Sequence, residues 1–425
     1  MRKLALAGLV ILIAIAAIGP WVTGHLVERE WGEAIERFNR QQDIVQLETV
    51  SYELGYMSGV TRTRVTFTAP DLKGRALLLE TRFSHGVTDA RGETHWLMEQ
   101  WPDVAAAFGD EGPVLVTKSE LWGDIYGKFT VPAAQWKDAQ GGEVRLEPLR
   151  IDYSFAKAGD HAELELKWQG GSISADTGSL KLAGLTLKED IRRLEKRVWT
   201  GHIDFGIESV EGSAPDSPAF ALSDIRMASQ SEQTGEDRIR SQTDLSVARL
   251  AMGDRSFQNL ELQAVGERLY VPALSQLLKR MQAYEDLARI EDPNERAVQE
   301  LKAFGQVMEA AQSLAGHGVE LSLPKLLIDT PEGKIRGRLG LTHPELSDEE
   351  IENLGSLLLR SQGALSLVMP KAFVEQADPQ LRQAVTDLLA RGWMTVQGDN
   401  LVLEAELKAM ALHIGGEAIP LPPLI

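Results

Sequence analysis

The chain has 425 residues, of which 43% are hydrophobic and 25% charged, and this composition excludes a largely disordered protein. Asp and Glu number 62 against 44 Lys and Arg, which gives a formal net charge of −18. This charge disfavours a nucleic-acid-binding protein, because such a protein needs a basic stripe on its surface. The absence of cysteine excludes disulfide scaffolds, thiolate catalysis and cysteine-ligated metal centres.

An apolar run near the amino terminus predicts a membrane anchor. Residues 4–22 carry no charge, and their length is close to the roughly 20 residues that a helix needs to cross a bilayer. Arg2 and Lys3 precede the run and Glu28 follows it. The positive-inside rule therefore predicts a cytoplasmic stub at residues 1–3, a transmembrane helix at 4–22 and a body outside the cytoplasm.

A cleaved signal peptide is the alternative interpretation of the same run. Ala14, Ile15 and Ala16 fit the small-x-small pattern of a cleavage site, but they lie inside the apolar run rather than after it. The length of the run favours an anchor. Both interpretations place the rest of the chain outside the cytoplasm.

Residues 23–41 are predicted to form a stalk helix. Four apolar residues recur there at helical spacing, which would place them on one face: Val27, Trp31, Ile35 and Phe38. This face could lie on lipid or pack against the exported body. Acidic neighbours such as Glu33 and Glu36 disfavour an anionic membrane surface, so we expect packing against the body.

Residues 42–271 are predicted to be a series of antiparallel strands. The stretch Ala162–Trp168 alternates apolar and polar residues, the period of a half-buried strand, and Gly-rich or polar turns separate such stretches. The alternation changes phase between Leu146 and Leu149, with Pro148 at the point where a bend is expected. The pattern indicates a long, curved antiparallel meander sheet with one apolar and one charged face.

Helical periodicity begins late in the chain. Residues 272–316 are predicted to be a helical hairpin interrupted at Asp292-Pro293-Asn294. Residues 317–425 are predicted to continue the sheet, with two helices and a Pro-rich tail; Ser347 and Glu350 would cap the first of these helices, and Pro370 would open the region of the second. The fold class is therefore mainly β with a late helical insertion (α+β), in which helices partly cover the sheet.

The apolar face of such a sheet has to be covered, because soluble proteins rarely expose large apolar patches without a partner. Four or so helices would cover only part of it. The sheet could curl on itself or leave an apolar trough. For a protein tethered at a bilayer, an acyl chain is one candidate partner for a trough.

No motif indicates an enzyme. None of the eight histidines forms an H-x-H or H-x-x-x-H pair, and the His202 and Asp204 pair alone is ordinary for an exposed strand face. Ser154 and Lys157 have S-x-x-K spacing but lie in a strand pattern, and no G-x-S-x-G sequence is present. We therefore predict no catalytic, cofactor-binding or metal-binding residues.

A short motif after the stalk contains Tyr52, Gly55, Tyr56 and Ser58, and His85 and Gly86 follow at the end of a predicted strand. These residues resemble a motif of the YdgA family of Gram-negative proteins. The resemblance implies a single-pass anchor in the bacterial inner membrane, a large body in the periplasm and no established activity. By more distant analogy, the architecture is similar to AsmA-like proteins, whose sheet grooves are linked to phospholipid traffic. We expect structural roles for the motif residues, with Gly55 in a turn and Tyr52 packed on a neighbouring strand.

Two functional hypotheses remain open. In the first, the protein is a membrane-anchored periplasmic envelope protein that binds or conducts phospholipid acyl chains along the apolar sheet face. In the second, it is a structural or assembly protein that forms a homodimer or contacts an envelope protein partner, because sheet edges and apolar faces also support such contacts.

Overall fold

The computed structural model describes residues 35, 36, 39 and 45–420, apart from gaps at 56–57, 69–75, 86–88, 100–101, 110, 121–123, 138–140, 157–158, 216, 288–289, 291 and 352–358. The predicted stub at 1–3, transmembrane helix at 4–22 and Pro-rich end at 421–425 lie outside the described residues, as does most of the stalk at 23–41. Ile35, Glu36 and Asn39 of the stalk have helical backbone. Within the described part of the chain, no helix combines the length and apolarity that a membrane span requires.

The described residues form one antiparallel sheet of 22 strands, together with six helices. The strands are β1 (Val45–Gly55), β2 (Ser58–Phe67), β3 (Ala76–His85), β4 (Asp89–Leu97), β5 (Val114–Glu120), β6 (Ile125–Val131), β7 (Ala134–Lys137), β8 (Glu143–Leu146), β9 (Leu149–Phe155), β10 (His161–Ala175), β11 (Gly178–Glu195), β12 (Val198–Ala214), β13 (Ser217–Gln233), β14 (Arg238–Met252), β15 (Arg255–Tyr270), β16 (His317–Thr330), β17 (Gly333–Glu345), β18 (Gln362–Pro370), β19 (Met394–Gln397), β20 (Asn400–Lys408), β21 (Ala411–Ile414) and β22 (Glu417–Pro420). The helices are α1 (Pro102–Phe108), α2 (Val271–Asp286), α3 (Pro293–Gly316), α4 (Asp348–Ile351), α5 (Lys371–Glu375) and α6 (Pro379–Ala390). The prediction of a mainly β, antiparallel fold is confirmed.

The contacts divide the chain into two units. The first unit comprises the residues up to Asp190 and the segment Gly206–Ser217. The second unit comprises the segment Ile191–Phe205 and the chain from Pro218 onward. Each unit has its own buried core. That of the first contains Val65, Leu79 and Leu115, and the second has one core around Val385 and another around Val319.

Strand alternation explains the core of the first unit. In β2, Thr61, Thr63 and Val65 are buried, whereas the arginines between them, Arg62 and Arg64, point to solvent. Successive side chains of a strand point to opposite faces, so the buried residues of neighbouring strands come together in one layer. The same alternation holds in β5, where Leu115 and Thr117 are buried.

The meander of the first unit is interrupted once. Strands β1 to β6 pair in sequence, and β6 then pairs with β9. Strands β7 and β8, which lie between β6 and β9 in the chain, pair with each other as a hairpin. Both β8 and β9 pair with β10. Glu147 and Pro148 interrupt the strand where a bend was predicted. The pairing with β10 keeps one register across them, with Leu146 opposite Gly171 and Leu149 opposite Trp168, so no extra residue is inserted there. The Glu147 amide donates to the Gly170 carbonyl at 2.9 Å, and the Gln169 amide donates to the Pro148 carbonyl at 3.2 Å.

The second unit is a meander from β13 to β18, after which β18 pairs with β20. Strands β19 and β21 both pair with β20, and β22 pairs with β21. Helices α2 and α3 form the hairpin predicted at residues 272–316.

Two helices were predicted in residues 317–425. The described residues of this region contain three helices, since the segment after Pro370 forms both α5 and α6. A residue before proline avoids helical geometry, and Asp378, which precedes Pro379, is extended with φ −61° and ψ 158°. Its carboxylate caps α6 by accepting from the amides of Gln380 at 2.9 Å and Leu381 at 3.0 Å. Helix α1 was also missed by the sequence patterns.

Candidate apolar binding surface

A continuous apolar band crosses seven strands of the second unit. Residues directly opposite each other in a ladder share one face of the sheet, and along this face aliphatic residues oppose one another from strand to strand. Met227 lies opposite Leu245, and Leu245 lies opposite Leu262. The band, as we use the term, comprises Ile225 and Met227 on β13, Leu245 and Val247 on β14, Leu260 and Leu262 on β15, Leu323 and Leu326 on β16, Leu339 on β17, Leu365 and Leu367 on β18, and Leu403 and Ala405 on β20.

Glycine positions show that the leucines of the band meet side by side. A Cβ atom on Gly337 would lie 3.0 Å from a methyl carbon of Leu326 and 3.5 Å from one of Leu367. Leucines from β16 and β18 therefore approach each other above Gly337 on the intervening strand. A side chain at position 337 would have to displace these leucines, so the glycine leaves room for their methyl groups over β17.

The middle of the band is open to solvent. Leu321, Leu339 and Leu341, which we call the leucine patch, are 42%, 44% and 37% exposed. Leu321 lies opposite Leu341, and Leu339 lies opposite both Leu323 and Leu365, so the patch is continuous with the band. These exposed leucines are adjacent in the sheet, unlike the isolated surface leucines that need no explanation.

Helices cover the same face on either side of the patch. Near β20, Val374 of α5 and Val385 of α6 join a core with Met369 and Leu401, and Leu367 and Leu403 of the band pack against it. On the other side of the patch, Val319 lies two residues before Leu321 and belongs to a core with Val271 of α2. Leu274 of α2 and Ala315 of α3 pack against this core. The patch is thus an uncovered section between two covered ones.

The open part of the band is short. The whole band spans about 29 Å across seven neighbouring strands at about 4.8 Å spacing, but the leucine patch lies on β16 and β17 alone, and one leaflet of the hydrocarbon core of a bilayer is about 15 Å thick. Covering the exposed parts of the three patch leucines would contribute about 2–4 kcal/mol.

The opposite face of the same strands is polar. A cavity of about 690 Å³ is lined by Arg338, Ser366 and Glu404 of that face, which lie opposite one another on β17, β18 and β20, and also by Leu339, Leu365 and Ala405 of the band. Trp393 and His413 also line this cavity. Its charged lining residues are Arg338, Glu404 and Glu406.

The motif residues predicted from sequence lie in the first unit, remote in sequence from the band. The ring of Tyr52 on β1 lies 5.8 Å from that of Phe83 on β3, across the intervening strand β2. Gly55 ends β1 and pairs with Ser58, the first residue of β2. His85 ends β3 and pairs with Ala90, while Tyr56 and Gly86 lie outside the described residues. The roles of Gly55 and His85 stay predictions.

Sequence reasoning missed Gly59 beside this motif. A Cβ atom at Gly59 would overlap the ring of Phe83 and approach the carbonyl of Glu53, so the ring can lie there only over a glycine. The signal available in the sequence was the Ser-Gly pair at the start of an otherwise β-branched strand, since a glycine within a strand often marks a close approach.

Comparison with known proteins gives a family and no activity. The model of a bacterial protein family of unknown function, DUF945, matches residues 1–422. No curated protein and no solved structure matches the chain.

Proposed function

The chain belongs to DUF945, a bacterial protein family of unknown function, and we propose that it is an anchored envelope protein that holds lipid acyl chains along the apolar band. The observation that carries the proposal is the leucine patch, three adjacent and solvent-exposed leucines in the middle of that band. An exposed aliphatic surface of this kind is characteristic of a site that is covered by a ligand or partner.

The amino-terminal sequence supports a lipid as the occupant. The uncharged run at residues 4–22 would hold the body beside a bilayer, where acyl chains are the most abundant apolar molecules. The resemblance to the YdgA family, and more distantly to AsmA-like proteins, supports the periplasmic side of the inner membrane as the location.

The composition of the band favours an acyl chain over a protein partner. Its members are Leu, Ile, Val, Met and Ala, without an aromatic residue or an arginine. Protein interfaces are enriched in Tyr, Trp and Arg, which supply most of their binding energy. A smooth aliphatic band offers dispersion contacts along its length and no directional polar contacts, which suits a flexible hydrocarbon.

The proposal is tested with the full-length chain in a mild detergent, using a fluorescent long-chain fatty acid as the probe. Leu339→Glu places a carboxylate at the centre of the patch, and we expect at least tenfold weaker binding because a charge cannot be covered by hydrocarbon at low cost. Met252→Glu is the matched control: Met252 is 56% exposed and ends β14 out of phase with the band. This control should bind as the unmodified chain does.

Circular dichroism and thermal unfolding check that both variants fold, which is expected because both positions are exposed. Equal binding by the Leu339→Glu variant and the unmodified chain would overturn the proposal. So would the absence of any binding by the unmodified chain, with no lipid retained in native mass spectrometry.

One observation favours a second candidate function, assembly of two copies of this chain. The hairpin helix α3 exposes four apolar residues at helical spacing, Val298, Leu301, Phe304 and Met308, and Leu301 is 76% exposed. This stripe contains an aromatic residue and a methionine, as protein interfaces do. Glu300 and Lys302 beside it carry opposite charges, so the same surface on a second copy could offer complementary partners.

The two candidates are separable by mutation. For the second, light scattering of the full-length chain should show a dimer that Leu301→Glu converts to a monomer and Leu339→Glu leaves intact. A monomer at every protein concentration would contradict assembly through the hairpin, and fatty-acid binding would be unaffected by that result.

A further inference from the structure

We propose that His161, Glu163 and Asp190 in the first unit bind a divalent transition-metal ion. One ligand atom from each of these side chains lies within 4.8 Å of the other two. Among the described residues, this is the group in which three such ligand atoms come together. The proposal rests on a surface in the first unit and is independent of acyl-chain binding in the second.

The fold builds the group from two strands. His161 and Glu163 are two residues apart on β10, so their side chains point to the same face. Strand β11 follows β10 after a two-residue turn at 176–177 and returns Asp190 to the start of β10. The Nε2 atom of His161 lies 2.8 Å from Oδ1 of Asp190 and 3.9 Å from Oε1 of Glu163.

These distances are close to those of a metal site. Ligand atoms about 2.1 Å from a tetrahedral ion are separated from each other by about 3.4 Å, and the two measured distances lie on either side of this value. Small side-chain rotations would bring all three atoms to the same ion. The Glu163 and Asp190 side chains are exposed, so they are the ones that can rotate most freely.

The charges around the group are of both signs, since Lys188 and Arg192 flank Asp190 on the same face of β11, but the carboxylates differ in their partners. Neighbouring carboxylates on this face have cations of their own, because Arg150 donates to Asp152 at 2.9 Å and Lys167 lies 2.6 Å from Glu165. Glu163 and Asp190 instead both approach the imidazole of His161. Two carboxylates directed at one imidazole present a negative site that a divalent ion would neutralise.

An outer hydrogen bond orients one of the ligands. The Ser154 hydroxyl on β9 donates to Oε2 of Glu163 at 3.2 Å, which leaves Oε1 directed at His161. Ligating carboxylates are commonly held in this way, and such outer contacts affect metal affinity by about 10- to 100-fold.

The donor set indicates the class of ion. One imidazole nitrogen with two carboxylate oxygens suits zinc, manganese or iron, whereas calcium and magnesium prefer sites made only of oxygen. Three protein ligands leave at least one coordination position for water, as in sites that exchange a ligand.

The chain contains matched controls for this site. His202 and Asp204 on β12 form a pair at the same spacing, with Nε2 3.7 Å from Oδ2. His95 and Glu93 on β4 form another, with Nε2 2.8 Å from Oε1. Each pair reproduces the His161 and Glu163 arrangement without the third ligand that Asp190 supplies.

The experiment uses the full-length chain without an affinity tag, stripped with a chelator, and titrates Zn²⁺ by calorimetry. We expect one ion per chain with micromolar affinity, at least tenfold weaker binding for His161→Gln and for Asp190→Asn, and unchanged binding for His202→Gln. Ser154→Ala should weaken binding about tenfold without abolishing it. Co²⁺ added to the same samples should give a visible absorption band that His161→Gln removes.

Two results would overturn the proposal. One is a chain that binds no Zn²⁺ at micromolar concentrations, in which case the three side chains form only an exposed ion pair with a neighbouring carboxylate. The other is equal loss of affinity in the His161→Gln and His202→Gln variants, which would indicate nonspecific binding to surface histidines. Circular dichroism of each variant confirms folding before titration.

Discussion

The apolar faces of the two units differ in what covers them. In the first unit, the inner face is buried even where it is polar, since Thr81 and Thr94 on neighbouring strands share a hydrogen bond of 2.8 Å away from solvent. In the second unit, the leucine patch is entirely aliphatic and yet open to solvent. Polar side chains are thus buried in the first unit, while leucines are exposed in the second.

This difference shows that alternation determines which residues share a face and not whether the face is covered. Phe108 of α1 and Ile35 of the stalk pack against the core of the first unit. In the second unit, the helices reach the sheet face on either side of the patch and leave Leu321, Leu339 and Leu341 open. A sheet face that stays uncovered in a folded protein is where a ligand or partner is expected.

The largest expected contrast is between truncations of a leucine in each unit. Leu115→Ala in the buried core should lower the free energy of unfolding by about 2–5 kcal/mol, because it removes buried methyl groups and leaves a cavity. Leu341→Ala in the patch should cost less than about 1 kcal/mol, because its side chain is already partly hydrated. Urea unfolding of both variants measures the contrast, and equal costs would show that the patch is covered in solution.

The buried polar layer of the first unit predicts a pH effect. Burial raises the pKa of Tyr153 to about 12, although the Thr117 hydroxyl lies 2.9 Å from its oxygen. A phenol in the unfolded chain ionises near pH 10. The folded state keeps its proton longer, so stability should fall between about pH 10 and 12, by up to about 2–3 kcal/mol.

Tyr153→Phe is the control for this effect, because it removes the ionisable group and should flatten the fall in urea stability over that pH range. An absorbance titration of the folded chain should show one tyrosine that ionises later than the rest. The same slope in the variant and the unmodified chain would mean that Tyr153 is accessible to solvent.

A smaller effect is expected from the helix that covers one side of the band. Asp378→Ala removes the cap of α6 and should cost about 1 kcal/mol, together with faster amide exchange at Leu401 and Leu403 beneath the helix. Asp292→Ala removes an equivalent cap from α3, where the carboxylate accepts from Asn294 at 2.8 Å. It should cost a similar amount without changing exchange at those two leucines. Changed exchange in both variants would contradict the assigned cover.

The smallest expected effect lies on the outer face of the first unit. Hydrogen bonds from Arg62, assisted by Arg82, lower the pKa of Glu80. Glu80→Gln should therefore destabilise the protein by about 0.5 kcal/mol at pH 7, since both arginines are substantially exposed. Because the pKa of Glu80 is lowered in the folded state, its charged form stabilises the fold at pH values above the ordinary glutamate pKa. The difference in unfolding free energy between the unmodified chain and the Glu80→Gln variant should therefore shrink as the pH falls below about 4. A difference that persists at pH 3 would contradict this origin.

Local patterns in the sequence were sufficient for much of the fold. The strands and the hairpin helices followed from periodicity and turn residues. Ser347 and Glu350 also interact as predicted, with the Ser347 amide donating to a Glu350 carboxylate oxygen at 3.2 Å. These features depend on residues within a few positions of each other, which is where sequence patterns are informative.

Features that depend on distant residues were not accessible in this way. The sequence predicted an apolar face, but the open patch depends on where α2, α5 and α6 meet the sheet. Asp190 lies 27 positions after Glu163, so its approach to His161 requires the register of two long strands. Helix α1 was missed because its seven residues give too short a periodic signal.

The last described strand restricts how copies of this chain could join. Strand β22 has four residues and ends at Pro420, which has no amide hydrogen to offer to an incoming strand. It pairs with β21 along one side. A strand of another copy that approached its other side would meet four residues, the last of which is a proline. Intermolecular strand pairing at this end of the sheet, and fibril growth from it, are therefore disfavoured even at a high concentration of the protein.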